Sequence, residues 1–358
     1  MEYQSLFLNS AATLVASLLL VVIVRRLAIR YSIVDHPGEK RKIHLTPTPL
    51  LGGVAVIVAF AVGLVLVWPE LMGGYLLPKH IIGVLVGAVI IGVGGALDDR
   101  YNLSPRAQIL FPILAALVVV SSGVGIEYIS NPFGDTLHLD VVNIELFQYQ
   151  GLPYFFTVFA DLFTIVWLMG MMYTTKFLDG LDGLVSGITV IGSIILFFLS
   201  LSTEVFQPET ATIALITAAA FLGFLIFNWH PARIFLGESG ALFAGFILGV
   251  LAIISGAKIA TTLLILGIPI LDVLWVIVRR LFLEKRSPFA GDRKHLHQRL
   301  VDIGLTQRQA VLLLYALTAV FGVSSLFMQS DQKVTALAVV GVTMIVLGLF
   351  VVWRYKRK

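Results

Sequence analysis

Two long apolar runs are separated by residues 176–184, which read KFLDGLDGL. Asp179 and Asp182 lie three residues apart, so on a helical turn their carboxylates share one face. Gly180 and Gly183 carry no side chains, which lets the backbone and a ligand approach closely. The segment therefore indicates part of a binding site. Taken alone, it is equally consistent with a solvated turn between two helices, in which glycine marks the change of direction.

The composition indicates a membrane protein. Of 358 residues, 58% are hydrophobic and only 13% are charged, and the mean hydropathy is +0.96. A soluble domain of this length is far less apolar. We expect an all-α polytopic membrane protein that forms one integral-membrane domain over residues 1–358. It should contain about eleven transmembrane helices of about 20 residues each. The predicted spans are residues 5–24, 50–68, 81–97, 107–124, 155–173, 184–202, 211–228, 239–256, 260–278, 310–328 and 334–353.

The distribution of basic residues predicts the orientation. When alternate loops are assigned to alternate sides, all of the 25 lysines and arginines except Lys79, Lys258 and Lys333 fall on one side. Basic residues in short loops stay in the cytoplasm. We therefore expect the N-terminus outside the membrane and the C-terminus in the cytoplasm. The net charge of +4 then faces anionic lipid headgroups, and we expect no nucleic-acid partner.

Residues 125–154 form the one sizeable loop that this orientation places outside. Apolar and polar residues alternate at 126–129 and again at 136–139, on either side of the turn-forming segment 131–135. This pattern is typical of a β-hairpin. We expect a small outer hairpin with a structural role.

Three further polar islands interrupt the apolar chain. Asp98 and Asp99 end the third span, where adjacent carboxylates require a cation, a bound proton or a donor such as Arg100, unless water simply solvates them. Glu238 begins the eighth span, where it either complements the helix dipole or binds a metal or substrate. The third island, residues 292–299, contains His295, His297 and Arg299.

The histidine island predicts an amphipathic surface helix. His295 and Arg299 would share one face of such a helix, opposite an apolar face. A zinc pair lacks a third soft ligand, so phosphate contact or proton transfer is favoured. In the first cytoplasmic loop, His44 follows the basic cluster 40–42, which contacts either lipid headgroups or an anionic substrate. Asp161 and Asp272 lie within predicted spans and are further candidates.

All of these islands follow odd-numbered spans, so the predicted topology places them together on the cytoplasmic face. Carboxylates, histidines, arginines and glycine turns on one face suit Mg²⁺-dependent chemistry on a pyrophosphate. Mg²⁺ binds through one or two carboxylates together with substrate phosphates. Phosphoryl transfer depends mainly on positioning and charge neutralisation. A lipid or anion transporter is the alternative from a different class, although transporters tend to place coupling charges near the bilayer midplane.

From the loop near Asp35 to His297, the ordered motifs resemble the polyprenyl-phosphate N-acetylhexosamine-1-phosphate transferase family, glycosyltransferase family 4. The resemblance implies a helical-bundle enzyme in the cytoplasmic membrane of a prokaryote that transfers sugar 1-phosphate from a UDP-sugar to polyprenyl phosphate. UMP is released, and a lipid-linked pyrophosphoryl sugar remains for cell-envelope polysaccharide synthesis. The order of the histidine motif is similar to the N-acetylglucosamine branch. Phospho-N-acetylmuramoyl-pentapeptide transferase is the alternative, and a homodimer is left open.

The resemblance also implies roles for individual residues. Asp98 and Asp99 match the family's paired aspartates, one of which deprotonates the lipid phosphate, and Asp179 joins them as a catalytic candidate. Glu238 matches the Mg²⁺ ligand, with Asp98 and Asp99 as further ligands and Mn²⁺ as the alternative ion. Asp182 matches the residue that reads uracil. The full set of predicted substrate-binding residues is His44, Lys176, Gly180, Asp182, Asn228, Phe235, Gly237, His295, His297 and Arg299.

Three positions depart from the family pattern. Lys176 stands where the family usually has asparagine, and Glu238 stands where it has aspartate. Gln298 ends a motif in which the family has a further histidine. Glutamate retains an oxygen ligand but reaches one methylene further, so the metal or the loop would have to shift. Lys176 adds a positive charge that elsewhere comes from another group.

Overall fold

The structure is a computed structural model that describes residues 3–37, 46–129, 131, 134–149, 152–203, 205–256, 258–285 and 294–355. It is mostly helical. The helices are α1 (Tyr3–Arg30), α2 (Gly52–Leu66), α3 (Trp68–Leu71), α4 (Pro78–Tyr101), α5 (Pro105–Ser121), α6 (Val158–Leu178), α7 (Leu184–Leu201), α8 (Pro208–Asn228), α9 (Gly237–Ile254), α10 (Ile259–Ile265), α11 (Gly267–Val278), α12 (Leu296–Asp302), α13 (Gln307–Ser324) and α14 (Ser330–Tyr355). A π-helical turn, Arg279–Leu283, continues α11, and a 3₁₀ turn, Ser325–Phe327, continues α13.

Eight of the described helices are long and apolar enough to cross a membrane, and α10 with α11 makes a ninth if the bent pair is counted as one span. The chain is therefore a multi-pass membrane protein. Each predicted span coincides largely with a described helix or helix pair, but α2 and α5 have only 15 and 17 residues. Helix α2, with a rise of about 22 Å, is shorter than a hydrocarbon core of about 30 Å, and α5 is at the lower limit of the usual span length. Eight or nine spans are supported by length and composition among the described helices, and the count of eleven stays a prediction.

The ninth predicted span is broken. Its two halves, α10 and α11, meet at an angle of 79° on either side of Leu266. Pro269 lies in the first turn of α11 and has no N–H to donate to a preceding carbonyl. Gly267 immediately after the break adds backbone freedom. Hydropathy alone could not show this bend, because both halves are apolar.

Within the described ranges, six short strands form three antiparallel pairs: β1 (Val34–Asp35) with β2 (Thr48–Pro49), β3 (Tyr128–Ile129) with β4 (Leu137–His138), and β5 (Asn143–Tyr149) with β6 (Leu152–Thr157). The β3–β4 pair lies where the alternating pattern predicts a hairpin. The longer β5–β6 pair was not predicted. Residues 155–157, assigned from sequence to the fifth span, belong to β6, so α6 begins at Val158.

Helix α9 lies at the centre of the bundle, with the largest buried share of any candidate span. Phe243 on α9 is fully buried, and its ring contacts Phe60 of α2 and Phe221 of α8 at centroid distances of 5.3 and 5.9 Å. Such aromatic contacts add to the stabilisation from buried area. Helix α14 is mostly exposed, with residues such as Ile345 and Leu349 on its surface, as expected of a helix that faces lipid.

Glycine allows α4 to approach the beginning of α9. A Cβ atom at Gly95 would lie 2.2 Å from the backbone nitrogen of Ser239, a distance that no real side chain could occupy. Asp99 follows Gly95 by one helical turn, so the same close approach brings its carboxylate to the N-terminus of α9. Helix packing thereby joins two polar islands that are far apart in the sequence.

Candidate functional site

Asp99 caps the N-terminus of α9. Its Oδ1 accepts a hydrogen bond of 3.0 Å from the backbone N–H of Glu238, one of the free donors at a helix N-terminus. Gly237 has φ +71°, and a Cβ there would lie 2.4 Å from Asp99 Oδ2. That oxygen is buried and has no hydrogen-bond partner among the described residues. The helix dipole favours a negative charge at this position.

Asp98 is connected to Glu238 through two side chains. Asp98 Oδ1 accepts hydrogen bonds from the backbone of Leu103, at 2.8 Å, and from Gln108 Nε2, at 3.0 Å. Gln108 Oε1 in turn accepts from Lys176 Nζ at 3.0 Å, and the Lys176 ammonium forms an ion pair with Glu238. Gln108 is not among the residues predicted from the sequence. A lone amide near the beginning of an apolar span is the only local signal for it.

Asp179 lies directly after α6, as its C-cap residue. Its side chain has an exposed surface, although protein atoms crowd around the carboxyl group. Burial, followed by the negative charges of Glu238 and Asp182, raises the pKa of Asp179 to about 7. Asp179 therefore binds a proton more readily than an ordinary aspartate does.

Asp182 is held by the segment that follows α8. Its Oδ2 contacts His230 Nδ1 at 2.7 Å and accepts a hydrogen bond from the backbone N–H of Ala232 at 3.1 Å. Arg308 donates to the carbonyl oxygen of His230 through Nε, at 3.1 Å, and Nη2, at 2.8 Å. His230 lies in the polar segment 228–238 that ends at Glu238, but no motif singles it out. The carboxylate of Asp182 is consequently fixed in orientation.

Asn228 joins two loops of the site. It is buried, and its Oδ1 accepts hydrogen bonds from the Gly183 backbone, at 3.0 Å, and from Ser186 Oγ, at 2.9 Å. Its Nδ2 donates to the carbonyl oxygen of Ile234 at 3.0 Å. These contacts make Asn228 a positioning residue, which holds the DGLDG turn against the segment before α9. Direct contact between Asn228 and the substrate remains a prediction.

His295 is held by Asp272, a carboxylate in α11. His295 Nδ1 lies 2.8 Å from Asp272 Oδ2, and the backbone N–H of Leu296 donates to Asp272 Oδ1 at 2.8 Å. Helix α12 begins only at Leu296, so His295 is its N-cap and not a member of the helix. The expectation that His295 and Arg299 share a helical face is therefore wrong. Their remaining link is one backbone hydrogen bond, from Arg299 N to His295 O at 3.0 Å.

His297 faces the DGLDG turn. Its ring stacks on that of His295 at 5.7 Å, and a Cβ at Gly180 would lie 2.3 Å from His297 Nε2. The ring is 1% exposed, and neither nitrogen has a hydrogen-bond partner among the described residues. Burial, with a smaller contribution from His295 and against the attraction of Asp272, lowers the pKa of His297 to about 4. The imidazole is therefore neutral at pH 7 and has a free donor and acceptor.

The remaining predicted residues lie as follows. Phe235 is half-buried, and its backbone bonds to Pro49 O at 2.8 Å and to Gly52 N at 3.0 Å, which fixes the segment before α9. Arg299 is half-buried on α12. His44 lies outside the described residues.

By themselves, the described carboxylates do not form a complete metal site in this arrangement. Their oxygens are ligands of the kind that Mg²⁺ prefers, and the unpartnered Asp99 Oδ2 is one candidate donor. However, Lys176 pairs with Glu238, and Asp98 Oδ1 is already bonded twice. Among the residues that the structure describes, no three histidine, aspartate or glutamate side chains are placed to hold one ion.

Comparison with known proteins decides the family. Residues 81–256 match the model of glycosyl transferase family 4. A probable undecaprenyl-phosphate N-acetylglucosaminyl 1-phosphate transferase of Bacillus subtilis (strain 168) is 33% identical over 324 residues, which is 89% of this chain and 83% of that protein. The chain belongs to glycosyl transferase family 4. The family resemblance that the motifs indicate is thereby confirmed.

Further known proteins are also similar to this chain. A decaprenyl-phosphate N-acetylglucosaminephosphotransferase of Mycolicibacterium smegmatis is 32% identical over 361 residues, covering 92% of this chain and 84% of the relative. A phospho-N-acetylmuramoyl-pentapeptide-transferase of Pelotomaculum thermopropionicum is 28% identical over 331 residues, covering 88% and 94%. The part that matches the family model runs from within α4 to the segment after α9, so it includes the carboxylate islands and precedes the histidine island.

Proposed function

We propose that this membrane protein transfers N-acetylglucosamine 1-phosphate from UDP-N-acetylglucosamine to polyprenyl phosphate on the cytoplasmic face of the membrane. The products are UMP and a lipid-linked pyrophosphoryl sugar, which serves cell-envelope polysaccharide synthesis. Relatives named for this transfer to undecaprenyl or decaprenyl phosphate, at 33% and 32% identity, support the reaction class.

One structural observation carries the proposal. Carboxylates from three separate segments, Asp99, Asp179 and Glu238, lie close enough for their charges to interact. The buried imidazole of His297 borders the same turn through Gly180. A membrane protein retains such a costly cluster of ionisable groups for binding or chemistry. The arrangement suits a reaction between two phosphorylated substrates.

The proposed reaction is a displacement at phosphorus. An oxygen of the lipid phosphate attacks the phosphorus that carries the sugar, and a new P–O bond forms. The bond from that phosphorus to the bridging oxygen breaks, and UMP leaves with the bond's electron pair. Asp179 accepts the proton of the lipid phosphate, because a base is most effective when its pKa is near the working pH. An aspartyl intermediate is the alternative route that the sequence leaves open.

The other residues bind the donor. Asp182, oriented by His230 and Ala232, and Phe235 contact the uracil. His297, with one N–H to donate, and Arg299 contact the diphosphate. Binding both substrates in fixed positions supplies much of the acceleration in phosphoryl transfer.

The direct test is release of UMP by purified protein incubated with UDP-N-acetylglucosamine and polyprenyl phosphate, with and without divalent cations. We expect UMP and the lipid product in equal amounts, and none from Asp179→Asn. Asp161→Asn is the matched control, because Asp161 lies at the opposite end of α6 and bonds to Thr157. Folded protein that releases no UMP from any UDP-N-acetylhexosamine would exclude the proposal.

The relatives at 28% identity that are named pentapeptide transferases indicate an alternative sugar donor, UDP-N-acetylmuramoyl-pentapeptide. In that branch three successive histidines are expected, whereas this chain reads HLHQR at residues 295–299. Assaying UDP-N-acetylglucosamine beside UDP-N-acetylmuramoyl-pentapeptide distinguishes the two. Faster turnover of the pentapeptide donor would favour the second assignment.

A further inference from the structure

The ion pair between Lys176 and Glu238 lies at the meeting point of two helices. Lys176 is in the last turn of α6 and Glu238 is in the first turn of α9. Their side chains are 18% and 16% exposed, so the pair is largely withdrawn from solvent. Screening by water is weak at such a position, and the interaction is correspondingly stronger than at a surface.

The lysine also reaches the paired aspartates. Lys176 Nζ donates to Gln108 Oε1 at 3.0 Å, and Gln108 Nε2 donates to Asp98 Oδ1 at 3.0 Å. On the other side, the Glu238 backbone donates to Asp99. The ammonium thus pairs directly with Glu238 and is linked through Gln108 to Asp98, and both are carboxylates that the sequence predicts to bind a divalent cation.

The two residues of this pair are also two of the three departures from the family pattern. One departure introduces a positive charge, and the other keeps a carboxylate but lengthens its reach by one methylene. In the structure these two changes meet in one contact. A divalent cation at Glu238 would have to displace the ammonium or lie beside it, and like charges at that distance repel strongly.

We infer that the Lys176 ammonium supplies the positive charge at Glu238 in place of a divalent cation, so that Mg²⁺ and Mn²⁺ bind weakly there. The catalytic part of this inference rests on the proposed function, whereas the cation-binding part does not. In the transfer reaction, the ammonium would offset negative charge on the phosphate oxygens.

Binding of Mn²⁺ alone to the purified full-length protein, followed by electron paramagnetic resonance, tests the cation-binding part. We expect Lys176→Asn, which removes the charge and offers an amide oxygen, to bind Mn²⁺ at least about tenfold more tightly than the wild type. Adding Glu238→Gln to that variant should abolish the gain. Lys176→Arg keeps the positive charge, and Lys79→Asn removes a distant positive charge. Both variants should therefore bind Mn²⁺ with the same affinity as the wild type. Equal Mn²⁺ affinity in the wild type and Lys176→Asn would overturn the inference.

Release of UMP in the presence of EDTA tests the catalytic part. The deciding measurement is made on the wild type, so it does not depend on whether a variant folds. We expect wild-type turnover to persist in EDTA, and Lys176→Asn to require added Mg²⁺. Wild-type turnover that EDTA abolishes and Mg²⁺ restores would overturn the inference while upholding the proposed function. If no condition yields UMP, the proposed function fails and the Mn²⁺ titration still decides the role of the ammonium.

Discussion

Asp179 should determine the pH dependence of the reaction. Burial and the charges of Glu238 and Asp182 raise its pKa to about 7, so below that pH the carboxyl group is protonated and cannot accept a proton. The rate of UMP release should therefore rise with pH through about 7 and level off above it. Glu238→Gln removes a neighbouring negative charge and should move this rise to lower pH. A rise at the same pH in Glu238→Gln would assign it to another group, such as the lipid phosphate.

Gly237 should tolerate no side chain. Alanine there would have to adopt φ +71° and would place its methyl group 2.4 Å from Asp99 Oδ2. The left-handed backbone alone costs about 1–2 kcal/mol. Displacement of Asp99 should lower the rate of UMP release on the order of 100-fold. Gly341→Ala in α14 is the matched control, because a Cβ there meets nothing within 4 Å. Equal turnover by the two variants would contradict the prediction.

At the scale of elements, Asp272 should hold α12 against α11. Asp272→Ala removes the acceptor of both the His295 ring and the Leu296 backbone in a buried place. Leaving buried donors unpaired costs about 1–3 kcal/mol each. We expect the amides of α12 to exchange with deuterium faster in this variant. In Asp161→Ala, which loses a carboxylate near Thr157, α12 should exchange as in the wild type. Unchanged exchange in Asp272→Ala would show that other contacts hold the helix.

The turn between α6 and α7 should depend on Asn228. Asn228→Ala leaves the Gly183 backbone, Ser186 and the Ile234 carbonyl without this partner, and we expect a loss of about 1–3 kcal/mol in stability. Ser186→Ala breaks only one of these bonds and should cost about 0.5–1.5 kcal/mol. Thermal unfolding in detergent measures both. A smaller loss of stability in Asn228→Ala than in Ser186→Ala would contradict the positioning role of Asn228.

At the scale of the whole molecule, the predicted orientation can be tested cleanly because the chain contains no cysteine. Leu137→Cys in β4 and Tyr31→Cys after α1 are both at exposed positions. In intact cells we expect a membrane-impermeant thiol reagent to label Leu137→Cys, and to label Tyr31→Cys only after permeabilisation. The unsubstituted chain is the control for background. The reverse pattern would place the site on the outer face.

Much of the site was visible in the sequence, since a carboxylate stands out in an apolar span. Asp98, Asp99, Asp179, Asp182 and Glu238 could be singled out in this way. Gln108 and His230 could not, because a single amide or imidazole within a longer segment has no distinctive local pattern. The sequence shows Asp272 as a charged residue within a predicted span, but it does not show that His295 is its partner.

The sequence by itself determined the membrane class, the family and the segments that carry polar groups. These follow from composition and short motifs, because the bilayer requires apolar spans wherever the chain crosses. Only the tertiary structure decided which of these groups meet. The Glu238–Asp99 hydrogen bond joins residues 139 positions apart, and the Lys176–Gln108 bond joins residues 68 apart. Such contacts depend on which helices pack together and at what angle, and neither is specified by the pattern of any single helix.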